Sequence, residues 1–354
     1  MTSNQETSEE GFSTALDQEK KSVKSNQERK TSALFDLHFS DLYVELNARS
    51  AWYKRTPDDF EGTLLDGLAL EEVCQLVDHI RSSPNHTDFR VEWRGLNLRG
   101  GVLQTISDDV MVLRRVLDEP LPFASIGYPN RLRDSLSSSS FNKGGLVLFG
   151  GGTGAGKTTS MISWLLARLG LYGGTAITVE NPIEIKIQGR HQGINGVFGT
   201  CYQIEVDDDL EFGPVLTRIL RAAPNIIGIG ELRTAEAVGK AVIASASGHL
   251  VCATVHSNDV ITMLQRVMNL LRDAGYDVAM FADSLCAVVH QSMALDRAGQ
   301  EFRRKISVSP LIVTGASTVD QTRAILRSGN CTQLISEIQR QERMIHSSTA
   351  LGVI

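Results

Sequence analysis

Gly151-Gly152-Thr153-Gly154-Ala155-Gly156-Lys157-Thr158 satisfies the pattern G-x-x-x-x-G-K-[ST] at every fixed position. It restricts the fold tightly, because the pattern works where a buried strand ends and a helix begins. Its glycines let backbone N–H groups curl around phosphate oxygens without Cβ clashes. Lys157 brings a point charge to the β- and γ-phosphates, and the Thr158 hydroxyl can hold Mg²⁺. The flanks agree. Leu146-Val147-Leu148-Phe149 is an apolar run suited to a buried parallel strand, and Thr159 to Leu169 reads as the helix whose N-terminus faces the anion. Residues Gly151 to Thr159 are therefore expected to bind ATP, with Thr158 as the side-chain ligand of Mg²⁺.

A chain of 354 residues has room for two domains of ordinary size. Its formal net charge of −6 argues against a protein whose main task is gripping nucleic acid, and no direct nucleic-acid binding is expected. No apolar run approaches the ~20 residues that span a bilayer. The N-terminal residues are polar and acidic, without the apolar core of a signal peptide. Cys74, Cys201, Cys252, Cys286 and Cys331 are widely spaced and form no C-x-x-C pair, so buried thiols in a reducing cytoplasm are expected rather than disulfides or zinc.

Residues 1–32 are rich in Ser, Gln, Glu and Lys and read as a disordered polar tail. Residues 33–120 form a first unit. Leu37-His38-Phe39 and Leu42 to Leu46 look like strands, and Leu68 to Ile80 follows helical spacing. Asp88 to Leu98 and Gly101 to Ile106 read as further strands joined at Arg99-Gly100-Gly101, completing a small α+β domain with an antiparallel sheet. Residues 121–143, with Pro122, Pro129 and the run Ser137 to Ser140, depart from any period and read as the linker. Over 144–354 the apolar runs Leu146–Phe149, Ala176–Val179, Ile226–Ile229 and Leu250–Val255 alternate with longer segments, the signature of an α/β unit with a parallel sheet covered on both faces.

A phosphate loop alone does not separate a switch from a kinase or a motor. The rest of the site must come from the C-terminal ends of neighbouring strands, where open α/β sheets bind ligands. Ile226-Ile227-Gly228-Ile229-Gly230-Glu231 ends a strand in a carboxylate able to orient the Mg²⁺ shell or activate water. Ile177-Thr178-Val179-Glu180-Asn181-Pro182 ends a second one, with Pro182 fixing the turn that would hold Glu180 toward the nucleotide. Gly248 to His256 carries a histidine at each end of an apolar strand. Their odd offset would point His249 and His256 to opposite faces of an uninterrupted strand, so they are expected to act separately. His256, at the C-terminal end, is the better γ-phosphate sensor.

Together these segments resemble the secretion-type ATPases of the GspE/PilT superfamily, which drive type II and type IV secretion, type IV pili and conjugation. That family carries an acidic box T-I-E-D-P-I-E, a G-E-x-R after the second acidic strand, and a histidine box G-H-L-x-x-x-T-x-H-[ST]-N. Thr178 to Glu184, Gly230 to Arg233, and Gly248 to Asn258 are their counterparts, in family order. The likeness covers Phe89 to Gly329 well and implies a C-terminal RecA-like ATPase domain with a C-terminal helical part, preceded by a PAS-like domain. It implies Glu231 as the strand-end carboxylate, Glu180 as the group polarising the attacking water, and His249 and His256 as the histidine pair. Asp88-Phe89-Arg90-Val91 and Leu113-Arg114-Arg115 match the stretches that supply arginines from the N-terminal domain, here Arg90 and Arg114. It further implies a homohexamer, cytoplasmic or peripheral at the inner membrane, working through membrane-bound secretion or pilus proteins.

Where the match breaks, Asn181 replaces the acidic box's Asp and cannot serve as a base, which favours Glu180. Arg323 to Gly329 is a degenerate form of the retraction-motor motif A-I-R-N-L-I-R-E-G, whereas Thr254-Val255-His256-Ser257-Asn258 is closer in wording to the DotB/TraJ-type ATPases of type IVB secretion and IncI-like conjugation. The reading is thus a hydrolysing motor for conjugative or type IVB transport. A type IV pilus motor is the alternative, and a protein that binds ATP and signals without turnover, which Asn181 would suit, is a third. A DNA translocase would need a basic groove, for which Arg94, Arg99, Arg114 and Arg115 are the suggestive cluster. A GTPase is disfavoured because Asn142-Lys143-Gly144-Gly145 lacks the Asp of a base reader and precedes the loop.

Overall fold

The computed structural model describes residues 32–55, 59–82, 88–116, 119–298 and 301–346. Residues 1–31 of the expected tail lie outside these. Ser32 does not behave as tail: it is buried, caps the short helix α1 (Ala33–Asp36), and donates to the buried Glu72 carboxylate at 2.8 Å. The chain divides into two compact units between Asp118 and Glu119.

In the first unit, strands β1 (Asp41–Glu45), β2 (Ser50–Lys54), β3 (Thr63–Leu64), β4 (Asp88–Trp93), β5 (Leu96–Leu103) and β6 (Val110–Val116) form an antiparallel sheet of order β3-β2-β1-β6-β5-β4. Period-two alternation sends Leu42, Val44, Ala51, Tyr53, Leu98, Met111 and Leu113 to one face. There they meet Val73, Leu76, Val77 and Ile80 of helix α2 (Gly67–Arg81). Three sequence expectations are corrected here. Leu37-His38-Phe39 is not a strand, because the turn of α1 continues into it and the Leu37 N–H bonds the Leu34 carbonyl. The 88–106 stretch turns at Arg94-Gly95, both with positive φ as a two-residue hairpin turn requires, so Arg99 to Gly101 lies inside β5 rather than between strands. Ser50–Lys54 and Val110–Val116 are strands that no expectation marked.

The second unit holds β7 (Gly145–Gly151), β8 (Gly174–Glu180), β9 (Gly189–Gln192), β10 (Phe198–Glu205), β11 (Ile226–Ile229), β12 (Leu250–His256), β13 (Leu285–Ala298) and β14 (Glu301–Ile312). The sheet order is β14-β13-β7-β12-β11-β8-β10-β9, with only the two edge strands antiparallel to their neighbours. Alternation along β7 splits the core. Val147 and Phe149 pack with Met161, Trp164 and Leu165 of helix α3 (Lys157–Tyr172), while Leu146 and Leu148 share the opposite layer with helices α4 (Phe212–Arg221), α5 (Ala235–Ala246), α6 (Val260–Asp273) and α7 (Val278–Ser284). Both faces of the central strands are buried, as a parallel sheet demands. The expected linker over 121–143 is instead part of this unit. Phe123, Ile126, Tyr128, Leu132, Leu136 and Phe141 are buried in the α3 layer, the apolar positions outweighing the turn-forming residues between them.

Beyond the sheet, helices α8 (Val319–Ser328) and α9 (Ile335–His346) follow the β13–β14 hairpin. Helix α9 closes the β14 edge. The Gln341 side chain accepts from the Ile312 N–H at 2.7 Å and donates to the Ile312 carbonyl at 3.1 Å, occupying the backbone groups another strand would take. All five cysteines are free, and four of them are buried.

Candidate active site

Because β7, β12, β11 and β8 are parallel and adjacent, their C-terminal ends lie along one edge of the sheet. Gly151 ends β7, His256 ends β12 opposite it, Glu231 follows β11 by two residues, and Glu180 ends β8. The topology thus gathers four segments separated by up to about a hundred residues.

The phosphate loop turns through Gly154 at φ +75° and Gly156 at φ +80° before helix α3 begins at Lys157. Positive φ at Gly156 is what aims successive N–H groups into one concavity, and a Cβ there would meet Met293 at 3.0 Å. These residues fit a bound triphosphate, with Thr158 and Thr159 in the first turn of the helix. Lys157 donates from Nζ to the Gly152 carbonyl at 2.9 Å, folded back across the loop. Burial pulls its pKa below the ordinary lysine value, opposed by the nearby carboxylates of Glu231 and Glu184.

Glu180 is almost fully buried, and its Oε1 accepts from Thr178 Oγ1 at 2.6 Å and Gln203 Nε2 at 3.0 Å. Thr178 reaches that face because Gly228 of β11 is small: a Cβ there would lie 2.7 Å from Thr178 Cγ2 and 3.3 Å from Leu165 of α3. Gly230 likewise lies against Glu180, with 3.2 Å between its would-be Cβ and the Glu180 Cα. Glu231 is held by Arg233 at 2.9 Å, and Arg233 is held in turn by Asp209 at 3.2 Å. Asn181 donates to the Asp207 carbonyl at 3.3 Å and so braces the turn.

The two histidines lie at opposite ends of β12, His249 just before it and His256 as its last residue. His256 Nε2 lies 3.4 Å from Thr153 Oγ1 of the loop. His249 precedes β12 and contacts the Ala244 carbonyl at 3.3 Å, a full strand length (about 20 Å) from the loop of its own chain. It does not join this site within one subunit. In the first unit, Arg90 lies opposite Arg99, and Arg99 opposite Arg114, so three arginines form one row across β4, β5 and β6. Arg114 pairs with the buried Asp41 at 2.7 Å. Of the cluster suggested for a DNA translocase, Arg99 and Arg114 share this row. Arg94 turns to Glu72 at 3.5 Å and stacks on Trp93, and Arg115 donates to the Leu37 carbonyl at 2.9 Å.

Sequence reasoning missed Arg233, Asp209 and Gln203 beside the loop, and Arg99 in the arginine row of the first unit. Arg233 was legible as the R of G-E-x-R. Arg99 mirrors Arg90 about the Arg94-Gly95 turn, so placing that turn would have found it. His290 was also missed. It ends the stretch of β13 paired to β7, donates from Nε2 to the Ser257 carbonyl at 3.2 Å, and has its pKa lowered by burial, with Asp259 and the Ser257 carbonyl opposing.

Comparison with known proteins places this geometry. Residues 62–349 match the family model described as Type II/IV secretion system protein. The chain is 33% identical over 208 residues to the type II secretion system protein HxcR of Pseudomonas aeruginosa, covering 58% of this chain but only 41% of that relative. It is 34% identical over 250 residues to the type IV pilus ATPase PilU of the same organism, covering 65% of this chain and 59% of PilU. Among solved structures, the pilus retraction motor PilT with bound ADP superposes with a TM-score of 0.67 at 24% identity, covering 86% of this chain and 87% of that one. The DotB ATPase of Legionella pneumophila superposes with a TM-score of 0.61 at 19% identity, covering 86% and 84%. These likenesses establish the RecA-like fold of the second unit.

Proposed function

The chain belongs to the Type II/IV secretion system protein family, and from that premise we propose that it is an ATP-hydrolysing motor acting as a homohexamer on a conjugative or type IVB secretion apparatus. The observation that carries hydrolysis rather than binding alone is the placement of Glu180, Glu231 and His256 on the same sheet edge as Lys157. Lys157 and the loop N–H groups hold the phosphates. Mg²⁺, when bound, neutralises phosphate charge, and Thr158 and Glu231 are the groups that would hold it. Glu180 faces the α3 side of the sheet beside Thr178 and polarises the attacking water. His256, against Thr153, reports the γ-phosphate to β12. Arg90 and Arg114 of the first unit supply positive charge to the transition state, completed by a neighbouring subunit.

Asn181 favoured a protein that binds without turnover. Its contact to the Asp207 carbonyl supports a bracing role and leaves the acid–base work to Glu180. The PilU likeness supports a pilus motor as the second reading of the system served. Among the described residues no helix is long and apolar enough to cross a membrane. The proposed motor is cytoplasmic and is recruited to inner-membrane partners. Phosphate release by the purified protein, lost in Lys157→Ala, tests the motor. A wild type that binds ATP without releasing phosphate, alone or with lipid, returns the reading to a nucleotide-dependent interaction protein. Genes for pilins with a relaxase beside this coding sequence would support conjugation, and pilins without one the pilus motor.

A further inference from the structure

Gln291 is fully buried where β13 leaves its pairing with β7 and passes the phosphate loop. Its Nε2 donates to the Ala155 carbonyl within the loop, and its Oε1 accepts from the Tyr128 hydroxyl. The orientation of the amide is unambiguous, because a carbonyl can only accept and so must face the NH₂ group. Tyr128 is itself buried and meets the Ser160 side chain in the first turn of α3. The contact is tight on the backbone side too: a Cβ on Gly151 would lie 2.3 Å from the Gln291 carbonyl oxygen.

The consequence comes from peptide geometry. The Ala155–Gly156 bond is trans, so its C=O and N–H point in opposite directions. Holding the Ala155 carbonyl on the β13 side fixes the Gly156 N–H on the other side. We infer that Gln291 is a positioning residue of the phosphate loop, which keeps the Gly156 N–H turned into the anion cradle, with Tyr128 fixing the amide. This rests on the reading of the loop as an ATP site.

The test titrates ATP against the full-length wild type, Gln291→Met, Gln291→Glu, Tyr128→Phe and Lys157→Ala, and records the melting of each ligand-free protein. Methionine keeps the length and burial but leaves the loop carbonyl without a donor. Gln291→Met is expected to weaken ATP about 10- to 100-fold, with Tyr128→Phe losing less in the same direction. Gln291→Glu regains a donor only when its carboxyl is protonated, so its deficit against wild type shrinks as pH falls, whereas that of Gln291→Met stays constant. A Gln291→Met protein with wild-type affinity, or equal deficits for Met and Glu at every pH, overturns the inference. If Gln291→Met does not fold, wild-type affinity in Tyr128→Phe overturns it and a reduced affinity upholds it. Failure of the wild type to bind ATP, or unchanged binding by Lys157→Ala, instead removes the ATP-site reading on which it stands.

Discussion

Lys157 is positioned by competing demands: burial penalises its charge, while Glu231 and Glu184 keep it. Only the protonated amine attracts phosphate. Affinity for ATP is therefore expected to fall as pH rises, starting below the range of an exposed lysine, and titrations between neutral and alkaline pH will show it. A Lys157→Met protein will lack this dependence and bind ATP at least about 100-fold more weakly. Glu231→Gln should retain ATP while losing phosphate release by about 10²–10³; wild-type turnover in that variant would remove Glu231 from the chemistry. Arg233→Ala frees Glu231 from its ion pair, so phosphate release should fall with ATP affinity retained. At this scale the sequence was most legible where function is written contiguously, as in 151–158. It was least legible where one residue completes another from a distant segment. Asp209 reaches Glu231 through Arg233, and Gln203 reaches Glu180 from β10, and no local pattern announces either.

Elements depend on single positions in ways that can be measured. Gly228 gives β11 room against Thr178 and Leu165. Gly228→Val should cost about 1–3 kcal/mol by overpacking, seen as a lower urea midpoint, although valine is otherwise the better strand former. Helix α9 offers a pH handle. The Arg340 guanidinium, with Gln341 and Thr318, holds the Glu337 carboxyl down to about 2 from an ordinary 4.5. A depressed carboxyl stabilises the folded state fully above 4.5 and ceases to do so as pH falls toward 2. The stability difference between wild type and Glu337→Gln should accordingly be largest near neutrality and vanish in acid, as thermal melts across that range will read. The strands of the second unit were legible because a sheet buried on both faces writes continuous apolar runs. Those of the first were blurred because their outer face mixes Tyr43, Trp52 and Val112 with polar residues, which hides the alternation, and one hairpin turns on Arg94-Gly95, a pair without the usual Asn-Gly signal.

For the whole molecule, the row of Arg90, Arg99 and Arg114 sits in the first unit while the phosphate loop sits in the second. If the row serves transition-state charge, Arg114→Ala should leave ATP affinity within about threefold of wild type and lower phosphate release about 10-fold or more, and hydrolysis per chain should rise with protein concentration as hexamers form. Concentration-independent hydrolysis by a monomer would exclude the hexamer. The chain divides into two units between Asp118 and Glu119, whereas the change of period along the sequence put a linker over 121–143. Pro122, Pro129 and the serine run suggested a linker where buried Phe123, Tyr128, Leu132 and Phe141 show a packed wall. The strand order carries a last consequence, for synthesis. β7 ends at Gly151, but its partners are β12, which starts at Leu250, and β13, which starts at Leu285. At roughly 5–20 residues per second on the ribosome, the stem of the phosphate loop waits about 5–20 seconds for its first neighbour and longer for its second. Throughout that interval it is an apolar strand with two open edges.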